Sequence, residues 1–248
     1  MKVFCNCKKE KVLQEEKTKI SVVLPAHNEA KRIEDAVNQT KKALAEFTSS
    51  YEIIIAEDGS TDGTAEIAGR IAAKNSFVTH VHSEARLGRG KALNHAFKLA
   101  KGEILAYLDV DLSTDMRHLK PLIEAIKEKK YEFATGSRML KESEVKRSFK
   151  RAAMSRVFNF LVRYILKSEI RDHQCGFKSF RRDALLRILN EIKDEHWFWD
   201  TEMLVRAQRK GYKIKEIPVR WEDKGVAGTK VKSFSDGLVM FYKIIKFR

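Results

Sequence analysis

The alternation of apolar runs with helical segments in the first half of the chain is the feature that most constrains its fold. The apolar runs are 20–25 (ISVVLP), 51–58 (YEIIIAED), 77–82 (FVTHVH) and 103–110 (EILAYLDV), and a segment with helical spacing follows each of the first three. Strands that alternate with helices of this length form parallel βαβ units, in which helices cover both faces of the sheet. The sequence therefore predicts an α/β fold with a Rossmann-like, mostly parallel sheet sandwiched by helices.

The second half of the chain has a different pattern, with longer helical segments and fewer strands. Strands are predicted at 131–138 and 212–221, and a helix is predicted near 181–192. Basic amphipathic helices are predicted at about 147–168 and at the C-terminus. No linker or composition break separates the two halves, so we expect them to share one fold.

An excess of basic residues predicts an anionic partner. The 248-residue chain carries 49 Lys and Arg against 34 Asp and Glu, which gives a formal net charge of +15. Such a charge attracts nucleic acid, phosphorylated ligands or an anionic membrane surface. We find no aromatic-interleaved RNA motif or zinc finger, and acidic residues at the strand ends would repel a phosphate backbone. We therefore expect no nucleic-acid partner.

The cysteines and the apolar segments favour a cytosolic protein that does not cross a membrane. Cys5, Cys7 and Cys175 cannot form a fully paired disulfide framework, which is typical of reduced thiols in the cytosol. The charged N-terminus does not read as a signal peptide. No apolar stretch approaches the ~18 residues of a spanning helix.

Two aspartates stand one residue apart at the end of the fourth apolar run. Asp109 and Asp111 would share a face if the strand continued through Val110. Two neighbouring carboxylates repel each other unless a cation lies between them, and Mg²⁺ or Mn²⁺ would meet that need together with phosphate oxygens of a ligand. A solvated acidic turn is the alternative interpretation. The position beyond the carboxyl end of a sheet strand, where ligands of α/β proteins bind, favours a metal site.

Several motifs occur together in one order along the chain. They are VVLPAHNEAKRI, EIIIAEDGSTDGTAEIA and RLGRGKALNHAFKLAKGEILAYLDVDLS in the first half, and GSRML, DHQCGFKSFRRDA, FWDTEMLVRAQRKGYKIKEIPVRWED and GTKV in the second. As a set they resemble the family 2 glycosyltransferases, inverting GT-A fold enzymes that use nucleotide-diphosphate sugars, over residues 20–232. The second half is similar to the polyprenyl-phosphate glycosyltransferases, and QCGFK resembles the dolichyl-phosphate glucosyltransferases more than the mannosyltransferases.

The resemblance implies a domain organisation. It predicts a charged N-terminal segment (1–18), a GT-A domain (19–232) and a C-terminal amphipathic helix (233–248). Within the domain, 19–115 would form the nucleotide-sugar half and 116–232 the acceptor half.

The resemblance also implies which residues bind the nucleotide sugar. These are Pro25, His27, Asn28, Glu29, Glu57, Asp58, Arg86, Lys91, Asp109 and Lys230. Glu57 stands where an aspartate is common, so its contact can differ from the family's. Helix capping by Asn28 is an alternative role for that residue. Solvation of a basic turn is the alternative for Arg86 and Lys91. Lys224 and Lys230 fall on a loop that closes over the donor in similar proteins.

For catalysis, the resemblance implies a metal-binding group and an acceptor group. Asp109, Asp111 and Ser113 would hold Mg²⁺ or Mn²⁺, with Asp111 as a direct ligand. The expected catalytic residues are Asp111, Arg138, Arg151, Lys178 and Asp200. A lipid phosphate is already anionic and needs cations rather than a general base. A saccharide or protein hydroxyl acceptor is the alternative, and Asp200 would then be the base. If Asp200 and Glu202 have no catalytic part, they stabilise a helix N-terminus.

The amphipathic helices suggest contact with a membrane surface. Helical spacing from Lys150 to Lys167 places apolar residues in one arc, beside a basic stripe. The arc contains Met154, Val157, Phe158, Leu161, Tyr164 and Ile165, and the stripe contains Arg156, Arg163 and Lys167. This pattern is typical of helices at lipid interfaces, although packing on the sheet is the alternative. We therefore expect transfer of a hexose from UDP-glucose or GDP-mannose to a polyprenyl or dolichyl phosphate, by an enzyme peripherally associated with the cytoplasmic membrane face.

Overall fold

The computed structural model of the protein describes residues 19–224 and 235–248, and within these ranges it contains nine strands and eight α-helices. The strands are β1 (Ile20–Ala26), β2 (Tyr51–Asp58), β3 (Val78–Ser83), β4 (Ile104–Leu108), β5 (Phe133–Ser137), β6 (Glu144–Lys146), β7 (Phe177–Arg181), β8 (Ile214–Pro218) and β9 (Arg220–Glu222). The helices are α1 (Ile33–Ala45), α2 (Thr64–Lys74), α3 (Arg89–Leu99), α4 (Leu119–Lys127), α5 (Phe149–Leu166), α6 (Arg182–Leu189), α7 (Trp199–Arg209) and α8 (Ser235–Phe247). A short 3-10 helix, Met116–His118, precedes α4.

One seven-stranded sheet organises the fold, in the order β3-β2-β1-β4-β7-β5-β8. Strands β1 to β4 are parallel, as their alternation with helices predicts. Strand β7 runs antiparallel to both of its neighbours, β4 and β5. Strands β6 and β9 form a second, two-stranded sheet. The predicted α/β architecture with a mostly parallel sheet is therefore confirmed.

The side chains of the central strands alternate between two cores, one on each face of the sheet. On β1, Val22 and Leu24 pack in a cluster with the apolar faces of α1 and α4, and Val23 packs in the opposite cluster with those of α3, α6 and α7. Strand residues point to opposite faces in turn, so a strand covered on both sides is apolar throughout. This explains why the runs that form β1, β2 and β4 are buried almost throughout and show no regular polar alternation.

Strands β6 and β7 and helix α4 are among the elements that the sequence patterns did not indicate. Strand β7 includes Lys178, which is fully buried, between Phe177 and Ser179. A lysine in a five-residue stretch that also contains a serine resembles a polar loop more than a central strand. The buried ammonium of Lys178 donates hydrogen bonds to Tyr107 and to the carbonyls of His173 and Cys175.

Helices α5 and α8 pack together over a third apolar cluster. Val162 and Leu166 of α5 are buried there with Phe198, Val205 of α7 and Ile244 of α8. The predicted apolar arc of α5 divides in the structure. The members packed against the cluster are Phe158, Leu161 and Ile165, and the exposed members are Met154, Val157 and Tyr164. Within the described residues, we find no helix with the length and hydropathy needed to span a bilayer.

Candidate active site

The candidate site lies where β1, β2 and β4 reach their carboxyl ends. β4 ends at Leu108, and the next residues form a turn in which the Leu112 amide donates to the Asp109 carbonyl over 3.0 Å. Leu112 has a positive φ of 46°, which few residues other than glycine adopt. The strand therefore does not continue through Val110, and the turn, not strand alternation, sets the relative position of Asp109 and Asp111.

The predicted metal-binding residues line one open cavity. Asp109, Asp111 and Ser113 contribute to its wall, together with Gly176 and Trp221. The Ser113 amide donates to Asp111 Oδ1 over 2.9 Å, which fixes one carboxylate oxygen within the turn. A Cβ on Gly176 would lie 1.8 Å from Asp109 Oδ2, so glycine is required for this position of the carboxylate. The donor set consists of hard oxygens and fits Mg²⁺ or Mn²⁺.

Arg89 links two acidic residues of the site and was not identified from the sequence. It is the first residue of α3, and its guanidinium donates to Asp109 Oδ1 and to Asp200 Oδ2, each over 2.7 Å. Its charged group also lies 5.1 Å from the ring centre of Tyr107 and 5.4 Å from that of Trp197. Arg89 lies between Arg86 and Lys91 in the motif from which those two residues were selected.

Behind Arg89, a buried polar network surrounds Asp200. The Tyr107 hydroxyl donates to Asp200 Oδ1, and Lys178 Nζ lies 2.9 Å from the same oxygen. Burial by itself would raise the pKa of Asp200, but the charges of Lys178 and Arg89 lower it below its usual value. Asp200 is therefore a paired, ionised carboxylate.

Lys178 differs from its expected role as an acceptor contact. Its ammonium donates to the carbonyls of His173 and Cys175, at 3.1 and 2.6 Å, and to the Tyr107 hydroxyl at 3.2 Å. The residue has no exposed surface because β7 carries it into the interior. In this structure Lys178 reaches the site through Asp200 and Tyr107.

Burial also affects Asp109. It raises the pKa of Asp109 above its usual value, with the charge of Arg89 opposing the rise and that of Asp111 adding to it. A bound cation at this position would offset the same repulsion.

The segment after β1 is anchored to the segment after β2. The amide of Asn28 donates to Ser60 Oγ over 3.0 Å, and the Asn28 side chain accepts from the Thr61 amide over 2.8 Å. The Glu29 amide donates to Thr64 Oγ1 over 2.8 Å. Asn28 has a positive φ of 53°. His27 is also bound here, because its Nδ1 lies 2.7 Å from the Asp58 carbonyl. Pro25 lies in β1 itself.

The two acidic residues that end β2 have internal partners. Asp58 accepts the amides of Leu87 and Gly88, at 2.6 and 3.0 Å, and so positions the turn before Arg89. Gly88 has a φ of 100°, and a Cβ there would lie 2.4 Å from the Glu195 carbonyl. Glu57 accepts the Ser60 amide over 2.6 Å and lies 2.5 Å from His82 Nδ1.

The remaining predicted donor contacts are exposed or outside the described residues. Arg86 is exposed on the turn before α3. Lys91 is also exposed and pairs with Glu195 at 2.9 Å. Lys230 lies outside the described residues.

The two acceptor-side arginines are each paired with an aspartate. Arg138 forms a bidentate pair with Asp172, at 2.7 and 2.9 Å, and stacks 5.6 Å from the centre of the Trp221 ring that lines the cavity. This pair lowers the pKa of Asp172 far below its usual value against the effect of burial. Arg151 pairs with Asp223.

A further basic residue lies beside these two. Arg147 is half-buried, and burial followed by the positive charges of Arg138, Arg156 and Arg151 lowers its pKa, with Asp172 opposing the change.

Glu202 has a structural role. Its carboxylate accepts the amides of Lys193 and Asp194, at 3.1 and 2.9 Å, and pairs with Arg206 over 2.6 Å. These contacts tie the first turn of α7 to the loop that precedes it.

One further group of side chains has the spacing of metal ligands. Among the described residues, Glu57, His80 and His82 each offer a ligand atom, and these atoms lie within 4.8 Å of one another. This group was not selected from the sequence as a metal site, although HxH at a strand end is visible in FVTHVH.

The fold and the arrangement of the site define a class of protein. The chain is similar to glucosyl-3-phosphoglycerate synthase from Mycobacterium tuberculosis, solved with Mn²⁺, uridine diphosphate and phosphoglyceric acid, with a TM-score of 0.66 and 19% identity over 93% of this chain and 77% of that one. It is also similar to the mannosyltransferase PcManGT from Pyrobaculum calidifontis, solved with GDP-Man and Mn²⁺, with a TM-score of 0.62 and 22% identity over 94% of this chain and 65% of that one. These likenesses confirm the predicted GT-A fold.

The sequence comparisons give the family. Residues 21–189 match the family described as Glycosyl transferase family 2, and this chain belongs to that family. The predicted class of enzyme, a glycosyltransferase, is thereby confirmed.

Two relatives show where the chain stands within the family. It is 50% identical over 229 residues to "Glycosyltransferase AglD" of Haloferax volcanii, covering 92% of this chain and 36% of AglD, so it spans about a third of that relative's length. It is 31% identical over 242 residues to "Dolichyl-phosphate beta-glucosyltransferase" of Dictyostelium discoideum, covering 92% of this chain and 73% of the relative.

Proposed function

We propose that this protein transfers a hexose from a nucleotide-diphosphate sugar to a polyprenyl or dolichyl phosphate, with inversion. The environment of Asp200 is the observation that favours a phosphate acceptor over a hydroxyl acceptor. This carboxylate is buried and bound to Arg89, Tyr107 and Lys178, and its pKa is lowered. A general base needs a pKa near the working pH and access to the proton that it removes. A phosphate acceptor is already anionic and needs neither.

The names of the relatives support this acceptor. Dolichyl-phosphate beta-glucosyltransferases from Dictyostelium discoideum and Saccharomyces cerevisiae are each 31% identical to the chain. Glucose is therefore the hexose that we expect, with UDP-glucose as the donor and GDP-mannose as the second choice.

The donor would bind over the cavity at the ends of β1, β2 and β4. Asp109 and Asp111, with Ser113, are the residues that would hold Mg²⁺ or Mn²⁺ there. A bound divalent ion would neutralise charge that develops on the diphosphate leaving group. Arg89 holds Asp109 from the opposite side, and Asp58 fixes the turn that positions Arg89. These residues keep two carboxylates in place near an anionic ligand.

The acceptor phosphate would bind at a cluster of four arginines, Arg138, Arg147, Arg151 and Arg156. Their mutual repulsion contributes to the lowered pKa of Arg147, so an anion at this position would relieve it. Trp221 connects the arginine cluster to the cavity, because it lines the cavity wall and stacks on Arg138. An acceptor phosphate held there would face the donor site.

Helices α5 and α8 provide the surface that we assign to the membrane. Their exposed apolar side chains include Phe149, Val157, Phe160 and Tyr164 on α5 and Val239, Phe241, Tyr242 and Ile245 on α8. We name these eight residues the apolar surface. Basic residues of α5 lie among them, as is typical of interfacial helices. The enzyme would therefore use its acceptor from the membrane face, which we take to be the cytoplasmic one.

The test is a transfer assay with vesicles that contain a polyprenyl phosphate. The protein is incubated with Mn²⁺ or Mg²⁺ and a panel of nucleotide sugars, and the lipid product is identified by mass. We expect a hexosyl polyprenyl phosphate, and we expect Asp111→Ala to lower its rate of formation at least about 100-fold, because the ion stabilises the leaving diphosphate.

The control for this variant is Asp35→Ala, which removes an exposed carboxylate from α1. Transfer to a saccharide or a peptide hydroxyl without any lipid product would contradict the proposed acceptor. An unchanged rate in Asp111→Ala would contradict the proposed metal site.

A further inference from the structure

A group of metal-ligand side chains joins the edge strand β3 to β2. In the register of these strands Glu57 lies opposite His82, and Ile55 lies opposite His80. His80 and His82 are two residues apart on β3 and so project from the same face of the sheet. One ligand atom from each of Glu57, His80 and His82 lies within 4.8 Å of the others. The three side chains therefore converge on one point at the sheet edge.

Hydrogen bonds engage both carboxylate oxygens of Glu57 and Nδ1 of His82, so a bound ion would replace the direct contact between Glu57 and His82. Glu57 uses Oε1 to accept the Ser60 amide, and its Oε2 lies 2.5 Å from His82 Nδ1. The Nε2 atom of His80 is buried and has no hydrogen-bond partner in the structure. Nearly all buried polar atoms of native proteins have a partner, so an unpaired imidazole nitrogen next to a carboxylate requires an explanation.

The group is separate from the carboxylates of the active site and has different chemistry. Strand β1 lies between β2 and β4, so two strand spacings, about 10 Å, separate the end of β2 from the end of β4. Asp109 and Asp111 offer only oxygen ligands, whereas this group offers two imidazoles and one carboxylate. Imidazole ligands favour Zn²⁺ and its neighbours in the first transition series over Mg²⁺.

We propose that Glu57, His80 and His82 form a second metal site, which binds Zn²⁺ or a similar late transition-metal ion. Two histidines and one glutamate are an established ligand set for tetrahedral Zn²⁺, with water in the fourth position. The site ties the edge strand β3 to β2. Because Ser83 ends β3 and the chain then leads through Gly88 to Arg89, the ion holds the segment that positions Arg89.

Cobalt(II) provides a direct readout of this site. Co²⁺ in a tetrahedral site with nitrogen ligands absorbs visible light strongly, whereas Co²⁺ bound by oxygen ligands in octahedral geometry absorbs weakly. Titration of the metal-free protein with Co²⁺ is expected to give strong visible absorption that saturates at one equivalent. Zn²⁺ is expected to displace the Co²⁺ and abolish the absorption, and the displacement gives the affinity for Zn²⁺.

Substitutions of the proposed ligands test whether the Co²⁺ absorption comes from this site. We expect His80→Ala and the milder His82→Gln each to weaken Zn²⁺ binding at least about tenfold, since loss of even a supporting group of a metal site costs that much. His95→Gln removes a nearby histidine outside the group, and Asp111→Ala removes the active-site carboxylate. Both are expected to keep the absorption. Circular dichroism of each variant confirms that it is folded.

Three results would overturn the proposal. The first is the absence of tetrahedral Co²⁺ absorption in the folded wild-type protein. The second is absorption that persists in both His80→Ala and His82→Gln. The third is loss of the absorption in Asp111→Ala, because the ion would then belong to the candidate active site. Transfer activity is not the readout, so the outcome is independent of the proposed acceptor.

Discussion

Arg89 is the residue on which the geometry of the active site depends. It is the cation between Asp109 and Asp200, with a side chain only 13% exposed, and each of its two contacts measures 2.7 Å. Burial would lower the pKa of Arg89, but the charges of Asp109 and Asp200 raise it well above its usual value. The planar guanidinium can serve two carboxylates at once, which the single ammonium of lysine does less well.

A conservative substitution of Arg89 is therefore expected to be costly. Arg89→Lys keeps the charge but cannot hold both carboxylates in the same geometry, and a misplacement of about 1 Å can lower a rate about 100-fold. We expect kcat/KM for the nucleotide sugar to fall between about 10-fold and 100-fold, with little change in the unfolding temperature. Steady-state kinetics and thermal unfolding measure the two effects. Lys98→Met, which removes an exposed cation from the other end of α3, is the control.

Wild-type kinetics in Arg89→Lys would show that the bridge between Asp109 and Asp200 has no part in the reaction. A parallel loss of folding would show that the bridge serves stability instead.

At the scale of single residues, the sequence was a good guide to which side chains lie close together. It was a poorer guide to what each side chain does there. Asp109, Asp111 and Ser113 line one cavity, although a turn and not the predicted strand alternation brings them there. Arg89 was missed because its partner Asp200 lies 111 positions along the chain, and no local pattern reveals such a distance. Lys178 resembled a surface contact because its sequence gives no sign that a strand buries it.

Helix α5 shows that one amphipathic helix can have two apolar functions. Val162 and Leu166 face α7 and α8, whereas Val157, Phe160 and Tyr164 are 58%, 63% and 67% exposed. Scattered exposed apolar residues are ordinary, but a group of large ones on adjacent helices marks an interaction surface. The Phe160 and Tyr164 rings are stacked, with centroids 6.0 Å apart. We interpret this group as the part of the apolar surface that enters the lipid interface.

An acidic substitution in the apolar surface is expected to release the protein from vesicles. Phe160→Glu loses the burial of a large ring, which contributes about 1.5–3 kcal/mol, and adds repulsion from anionic lipid. We expect the partition coefficient on anionic vesicles to fall at least about tenfold in a sedimentation assay. Leu99→Glu makes a comparable change at the end of α3, where the leucine is 50% exposed.

Equal partitioning of the Phe160→Glu and wild-type proteins would contradict the membrane interpretation of α5. Release by Leu99→Glu to the same extent would show that net charge alone governs the binding.

At the scale of elements, the local periodicity of the sequence was sufficient for the first half of the sheet. The apolar runs became β1 to β4 and the helices between them became α1 to α3. It was insufficient for β7, because Phe177 and Phe180 are both buried and the residues between them are polar. The buried ammonium of Lys178 has two nearby carbonyl partners, but its partners Tyr107 and Asp200 are distant in sequence and are set by the tertiary fold.

The stability of the whole molecule is expected to depend on one buried histidine. His173 is fully buried, with Nδ1 2.8 Å from Asn159 Oδ1 and Nε2 2.8 Å from Ser168 Oγ. Burial lowers the pKa of His173 from 6.5 to about 3; the charge of Asp172 opposes this shift and that of Lys178 adds to it. The unfolded chain therefore binds a proton below pH 6.5 that the folded chain does not accept until about pH 3.

Stability should accordingly fall as the pH is lowered. With more protons bound to the unfolded state, the contribution of His173 is complete above pH 6.5 and decreases by up to about 1.4 kcal/mol per pH unit down to about pH 3. Urea denaturation at a series of pH values gives the free energy of unfolding. In His173→Asn, we expect this part of the dependence of the unfolding free energy on pH to disappear. The expectation holds whatever the stability of the variant at pH 7.

His196→Asn, which replaces an exposed histidine, is the matched control and should keep the wild-type slope. The same slope in His173→Asn would mean that other groups cause the acid sensitivity.

Strand β7 has a consequence for how enzymes of this architecture can change their acceptors. It comes late in the chain, yet it pairs with β4 through five residues and with β5 through three. A protein cut after residue 115 would keep β4 but lose the strand beside it, leaving an open edge that invites aggregation. Exchange of complete gene halves between relatives is therefore a poor route to new specificity. Change confined to the surface segments around the arginine cluster would leave the shared sheet intact.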